Sequence, residues 1–266
     1  MNSFAAPRFV IPLFCLLTLT APAQVVVHHF AGGEADTASA GDALSSTLID
    51  SGATGTDLSE AGSGGTFSSN TRGSASSLSY QFDGSNYYSG ALDTSLSSSA
   101  SFGMEAWINA SNTTTGQMIV YNGNSGTNGI GLYLNGNTID VLRGGIALNP
   151  VGIIEAGSWH HVAVVWDNGA LTGYLDGNAN FSASSQSFDL VGGALLIAGN
   201  NASLELFQGF IDDVRIFTFE TGTFDTSMLH LSTSAVPEPT TYATLLGLAG
   251  LGLALWCRRP APTQAA

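Results

Sequence analysis

The chain has 266 residues, with six basic against twenty acidic side chains, a formal net charge of −14 at pH 7 and a pI of about 4.3. There is no lysine, and residues 24–235 hold three arginines against nineteen carboxylates, a net charge of −16. That balance excludes nucleic acid, whose binding requires a cationic face to release counterions, and it disfavours anionic lipid headgroups. It suits an extracellular protein that meets neutral ligands or divalent cations.

Arg8 precedes an apolar stretch from Phe9 to Leu19, and Ala21-Pro22-Ala23 places small residues at the minus-three and minus-one positions of a cleavage site. This predicts a signal peptide over 1–23, cut between Ala23 and Gln24. The competing reading, an uncleaved N-terminal anchor, suffers from the shortness of the apolar core. Cys15 and Cys257 both fall in the terminal segments, so the domain between them is built without disulfides or thiolate metal sites.

From Gln24 to Ala235 the length fits one domain with an ample core. Val25 to Phe30 reads as a first strand. Residues 34–77 are rich in Gly, Ala, Ser, Thr and Asp, and are expected to form a long, weakly structured connection with one or two short strands. Beyond Leu78, short apolar runs are broken by turn residues every ~8–12 positions, the signal of a sandwich. Phe102, Met104, Ala106 and Ile108 alternate with Gly103, Glu105, Trp107 and Asn109, and Ile130, Leu132 and Leu134 repeat the pattern. Leu134-Asn135-Gly136-Asn137 and Leu175-Asp176-Gly177-Asn178 are expected to be hairpins with type I′ turns. The stretch from Val162 to Trp166 is apolar on both faces, as in a central strand, and Phe210 to Phe219 makes another. A single turn near Phe224 to Leu231 is the only helical signal. The fold class is all-β.

Four segments, in order, resemble the LamG-like jelly-roll family of the concanavalin A-like lectin/glucanase architecture. They are Ser79-Tyr80-Gln81-Phe82-Asp83-Gly84, the S-F-G-M-E-A-W-I of Ser101 to Ile108, the W-H-H-V-A and Y-L-D-G of Trp159 to Gly177, and the Q-G-F-I-D-D-V-R-I-F of Gln208 to Phe217. The resemblance covers most of 79–231 and implies two stacked antiparallel sheets, a jelly-roll sandwich whose relatives often bind carbohydrate or calcium.

Candidate chemistry is weighed on these elements. Glycoside hydrolysis needs two carboxylates facing each other across the sugar bond. The E-x-D-x-x-E of glucanase relatives is absent, and the adjacent Asp212 and Asp213 would point to opposite faces of a regular strand. A non-catalytic role is therefore expected. In each of the pairs His28-His29 and His160-His161, neighbours diverge on a strand and do not chelate one ion; one packs inside and the other at the surface. For Ca²⁺ the resemblance implies Asp83 and Asp212 as ligands, against a reading in which Asp83 caps a turn and Asp212 satisfies backbone donors. For a sugar, Tyr87, Tyr133 and Tyr174 are the candidate stacking residues, each near a polar neighbour. Trp107 and Trp159 are better read as packing residues.

At the C-terminal end, Val236-Pro237-Glu238-Pro239 is followed by an apolar segment over 242–256 and by Arg258-Arg259. About 15 residues at 1.5 Å rise make a helix of ~22 Å, short of a ~30 Å hydrocarbon core, and the two arginines resist translocation. Motif, length and basic end together resemble the PEP-CTERM sorting signal of Gram-negative bacteria, over 236–260. The resemblance implies processing by an exosortase-like membrane enzyme, transient or permanent insertion through the C-terminal segment, and delivery to the cell surface or extracellular matrix. Carbohydrate contact in an exopolysaccharide or biofilm setting is the expected role. The alternatives are a structural or adhesive protein acting through protein contacts, and a diverged glycoside hydrolase.

Overall fold

A computed structural model describes residues 24–33, 37–73, 76–200 and 205–232. The signal-peptide segment with Ala23, the sorting motif Val236 to Pro239, the apolar segment 242–256 and Arg258-Arg259 lie outside the described residues. Among the described residues, no helix is long and apolar enough to cross a membrane.

Among the described residues, sixteen strands form two antiparallel sheets, as the alternation pattern requires. The strands are β1 (Gln24–Phe30), β2 (Thr47–Leu48), β3 (Leu58–Gly62), β4 (Thr66–Ser68), β5 (Ser79–Asp83), β6 (Asn86–Ala91), β7 (Ser101–Ala110) and β8 (Gly116–Asn124). They continue as β9 (Asn128–Asn135), β10 (Thr138–Arg143), β11 (Ala147–Ile153), β12 (His160–Asp167), β13 (Ala170–Leu175), β14 (Asn178–Ala183), β15 (Ala194–Ile197) and β16 (Gln208–Phe219). One sheet runs β14-β13-β12-β7-β16-β5-β4, with β1 also on β16; the other runs β11-β10-β9-β8-β15-β6-β3-β2. The expected sparse connection over 34–77 carries three short strands, β2, β3 and β4, which extend both sheets.

Between the sheets lies one core. Phe102, Met104, Ala106, Ile108, Val162, Val164, Trp166 and Ile216 come from the first sheet, and Ile119, Ile130, Leu132, Leu134, Val141 and Ile197 from the second. Each alternating run places its apolar set inward because successive side chains point to opposite faces. Burial of a Leu, Ile or Phe side chain contributes about 1.5–3 kcal/mol, so this layer stabilises the domain without cross-links.

The Asp176-Gly177 hairpin is as expected: Leu175 pairs with Asn178, and both central residues have positive φ, +50° and +77°. The Asn135-Gly136 hairpin differs by one residue. Asn135 pairs with Thr138, so Gly136 (φ +62°) and Asn137 are the central pair. Positive φ is confined to the first central position, the pattern of a type II′ turn, where glycine is the residue of choice.

Strand β16 carries the main irregularity. Asp212 pairs with Trp107 and Arg215 with Glu105, so Asp213 and Val214 together oppose one residue of β7, and Asp213 takes φ +47°. This bulge re-aims the strand. It overturns the expectation that Asp212 and Asp213 face opposite ways: both carboxylates lie against Arg72, whose Nε stands 3.9 Å from Asp212 Oδ2 and 2.6 Å from Asp213 Oδ2.

Candidate functional site

The outward faces of the two sheets differ. On the first sheet that face is closed by residues 222–232. Met228 and Leu229 pack on Ala163, Val165, Tyr174 and Phe217, and Phe224 lies 5.7 Å from Tyr174, centroid to centroid. Asp225 caps a 3-10 turn over Thr226–Met228, the helical signal seen in the sequence. Past this turn the chain runs over a buried polar cluster. Glu105 accepts from His161 Nε2 at 2.8 Å and from the His230 amide at 2.9 Å, and pairs with Arg215 at 2.9 Å. Trp107 donates its indole N–H to the His230 carbonyl at 2.8 Å, with Arg72 over its ring at 5.4 Å. Arg72 also donates to the carbonyl of Ser232.

Asp213 accepts from His29 at 2.8 Å. Burial raises its pKa, but the His29 hydrogen bond and the Arg72 charge outweigh burial and hold it down at about 2. Burial lowers the pKa of His230 to about 4. Tyr174 is buried here, 7% exposed, and burial raises its hydroxyl pKa. Its strand, β13, belongs to the sheet opposite to that of Tyr87 and Tyr133.

The histidine pairs divide as expected. His161 is buried on Glu105, whereas His160 sits at the surface beside Asp176 at 2.9 Å. His28 is buried between Asp50 at 2.8 Å and Asp93 at 3.1 Å. Burial opposes its protonation, but these two carboxylates prevail and raise its pKa to about 9.

The outward face of the second sheet also carries a buried apolar layer, in which Tyr133 is 8% exposed. Met118, Tyr121, Tyr133, Ala194 and Leu196 form this layer, with Tyr87 and Leu142 packed against it. Above it lies a cleft of about 560 Å³, floored by Tyr133, Leu142 and Leu196, with Leu148 at its lip and Asn124, Ser125, Asn200 and Glu205 around its rim. Tyr133 donates its hydroxyl to Glu205 Oε1 at 2.8 Å, and Asn200 donates to Glu205 Oε2. Burial first, then Glu205, raises the pKa of the Tyr133 hydroxyl. The Glu205 carbonyl accepts from the Met118 amide at 2.8 Å, which ties this segment to β8. Gly116 leaves the space for the tyrosine: a Cβ there would stand 2.0 Å from the Tyr133 oxygen. Asp140, directly across from Tyr133 on β10, has its pKa raised by burial.

The sequence thus singled out Tyr87 and Tyr133, which share one layer, and missed Glu205, Asn200, Leu142, Leu148, Leu196 and Gly116. The floor leucines were detectable as the outward half of alternating strands. Glu205 carried no signal, because it lies in an irregular segment before β16.

The structure does not join Asp83 and Asp212. Asp83 pairs with Gln208, four residues from Asp212 on β16, or about 13 Å along a strand. Asp83 accepts from the Ser85 amide at 3.0 Å, and the Ser85 hydroxyl lowers its pKa. Among the described residues, no group of three or more His, Cys, Asp or Glu could hold a metal ion.

A family model described as the concanavalin A-like lectin/glucanases superfamily matches residues 82–221, more than half of the chain. The chain belongs to that superfamily. The family model for the PEP-CTERM protein-sorting motif matches residues 235–259. Among curated protein sequences none matches the chain. Its fold is similar to domain 4 of AbnA, a GH43 extracellular arabinanase from Geobacillus stearothermophilus, solved in complex with arabinotriose. That match has a TM-score of 0.59 at 20% identity and covers 77% of this chain and 96% of that one. The binding domain of Paraclostridial Mosquitocidal Protein 1 matches with a TM-score of 0.55 at 14% identity, over 77% of this chain and 50% of that one. The botulinum neurotoxin serotype D binding domain gives 0.53 at 14%, over 76% and 50%. The chain spans about half of each toxin domain, and at these identities the likeness is one of fold.

Proposed function

We propose that this superfamily member is an exported, non-catalytic protein of the cell surface or extracellular matrix that binds carbohydrate through the cleft on its second sheet. The signal peptide ends at Ala23, the domain occupies 24–235, and the segment 236–260 is read by an exosortase-type enzyme. The PEP-CTERM match supports export and sorting to the envelope. One observation carries the binding role: a cleft whose accessible apolar lining is Leu142 and Leu148, beside the buried Tyr133, with amide and carboxylate groups at its rim. Ring faces of a sugar pack on such a lining while its hydroxyls meet the rim. The arabinotriose complex of the AbnA domain is consistent with this use of the fold. Glu205 takes hydrogen bonds on both oxygens, which suits a fixed acceptor better than a group that must exchange protons.

Glycan arrays and affinity electrophoresis with soluble polysaccharides test this reading on the full-length protein. Retention by at least one polysaccharide is expected, with loss in Leu148→Asp, a change at a 44% exposed lip residue that leaves the core intact. Absence of any retention sinks it.

An adhesive reading draws on the edge strand β11, near which Ile146, Leu148 and Ile153 are 53%, 44% and 68% exposed. Concentration-dependent self-association abolished by Ile153→Glu would favour that reading.

A further inference from the structure

Which sugars such a cleft accepts is decided by where the cations are. Three arginines, Arg72, Arg143 and Arg215, are the only cationic Lys or Arg side chains among the described residues. Arg72 is committed to Asp213 and the Ser232 carbonyl, and Arg215 to Glu105, all on the outward face of the opposite sheet. Arg143 is 6% exposed and donates to the Ser187 carbonyl at 3.1 Å. None reaches the cleft, whose rim charge is Glu205, with Asp140 paired across from Tyr133.

Resting on the carbohydrate reading above, we infer that the cleft selects neutral glycans and rejects chains bearing uronate, sialate, sulfate or phosphate groups. A neutral sugar presents hydroxyls that donate to Glu205, a charge-assisted hydrogen bond, and apolar C–H faces that cover Leu142 and Leu148. An ionised acidic sugar presents acceptors to an acceptor. It would also lose its hydration shell with no cation to replace it, and like charges brought together disfavour the wrong partner. The net charge of −16 over residues 24–235 adds a long-range repulsion that salt screens.

The experiment is affinity electrophoresis and calorimetry of the full-length protein in detergent against two panels. One holds neutral polymers such as arabinan, β-glucan and fully methyl-esterified polygalacturonan; the other holds alginate and de-esterified polygalacturonan. Each is run at low and high salt. Binding within the neutral panel, nearly independent of salt, is expected, with affinity for the acidic panel weaker by about tenfold or more. Glu205→Gln should weaken neutral binding by about tenfold. Leu148→Lys, which places a cation at an exposed lip position, should admit the de-esterified polymer in a salt-sensitive manner. Equal or tighter binding of the acidic panel by the unaltered protein overturns the selectivity and leaves the carbohydrate reading standing. Binding to neither panel overturns the carbohydrate reading, and the selectivity falls with it.

Discussion

The indole N–H of Trp107, in the central strand β7, donates to the carbonyl of His230 at 2.8 Å across 123 residues. Together with the Arg72 contact to Ser232, it holds the end of the described domain four residues ahead of the Val236 motif. Four residues of chain reach at most about 14 Å. The domain therefore stands close to whatever reads the sorting segment, and the closing segment 222–232 is part of the fold and not of the tail.

Ending the chain after Glu220 should then destabilise the domain substantially. Met228 and Leu229 are 3% and 5% exposed; losing them costs about 4 kcal/mol and exposes Phe217 and Tyr174. Urea unfolding of the shortened and intact proteins measures this, and an unchanged midpoint would refute it. Trp107→Phe, which keeps an aromatic ring but removes the donor and part of the buried indole, should cost at least about 1 kcal/mol.

Glu105 is fully buried and meets His161, Arg215 and the His230 amide. Glu105→Ala leaves a buried guanidinium unpaired and should cost about 3–5 kcal/mol. Glu105→Gln should cost less, because the amide oxygen still accepts. Equal losses in the two variants would argue against the charge being the cause.

Stability should peak near pH 6.5 from two opposed histidines. The folded pKa of His28 is raised to about 9 from 6.5. Its contribution is complete below pH 6.5 and is lost as pH rises through about 9, amounting to roughly 3 kcal/mol. His230, lowered to about 4, acts in the other direction: the unfolded chain binds the extra proton first, so stability falls as pH drops from 6.5 toward 4. At lower pH the Asp50 contribution also fades, as its carboxyl, held at about 2 by His28 and backbone amides against burial, is protonated. Thermal unfolding between pH 4 and 10 reads both limbs. His28→Asn should flatten the alkaline limb alone and His230→Gln the acid limb alone.

Gly116→Ala should impair the cleft while leaving the fold in place. The added methyl would overlap the Tyr133 hydroxyl and drive it from Glu205, lowering glycan affinity by about tenfold. Gly126→Ala, which adds a methyl to the same cleft with its nearest neighbour at 3.5 Å, an ordinary contact, separates displacement of Tyr133 from the mere addition of a methyl. Equal affinities for the two variants would disconnect the Tyr133–Glu205 pair from binding.

The strand alternation in 102–109 and 130–134, the Asp-Gly hairpin and the ordered family segments are local facts, and the sequence alone determined the all-β sandwich from them. Side-chain direction in a strand follows from period two, so the inward set and even Tyr133 as an outward residue were readable. The sorting segment was readable for a similar reason: its features follow each other without a gap. Tertiary structure decided everything that joins distant residues. Glu205 reaches Tyr133 across 72 positions, Asp93 reaches His28 across 65, and Arg72 reaches Ser232 across 160. Spacing along a chain says which face a residue takes but not which strand becomes its neighbour. A bulge such as that at Asp213 can reverse even the face. That is why Tyr174, alike in sequence to Tyr133, lies under Phe224 on one sheet while Tyr133 lies under Glu205 on the other.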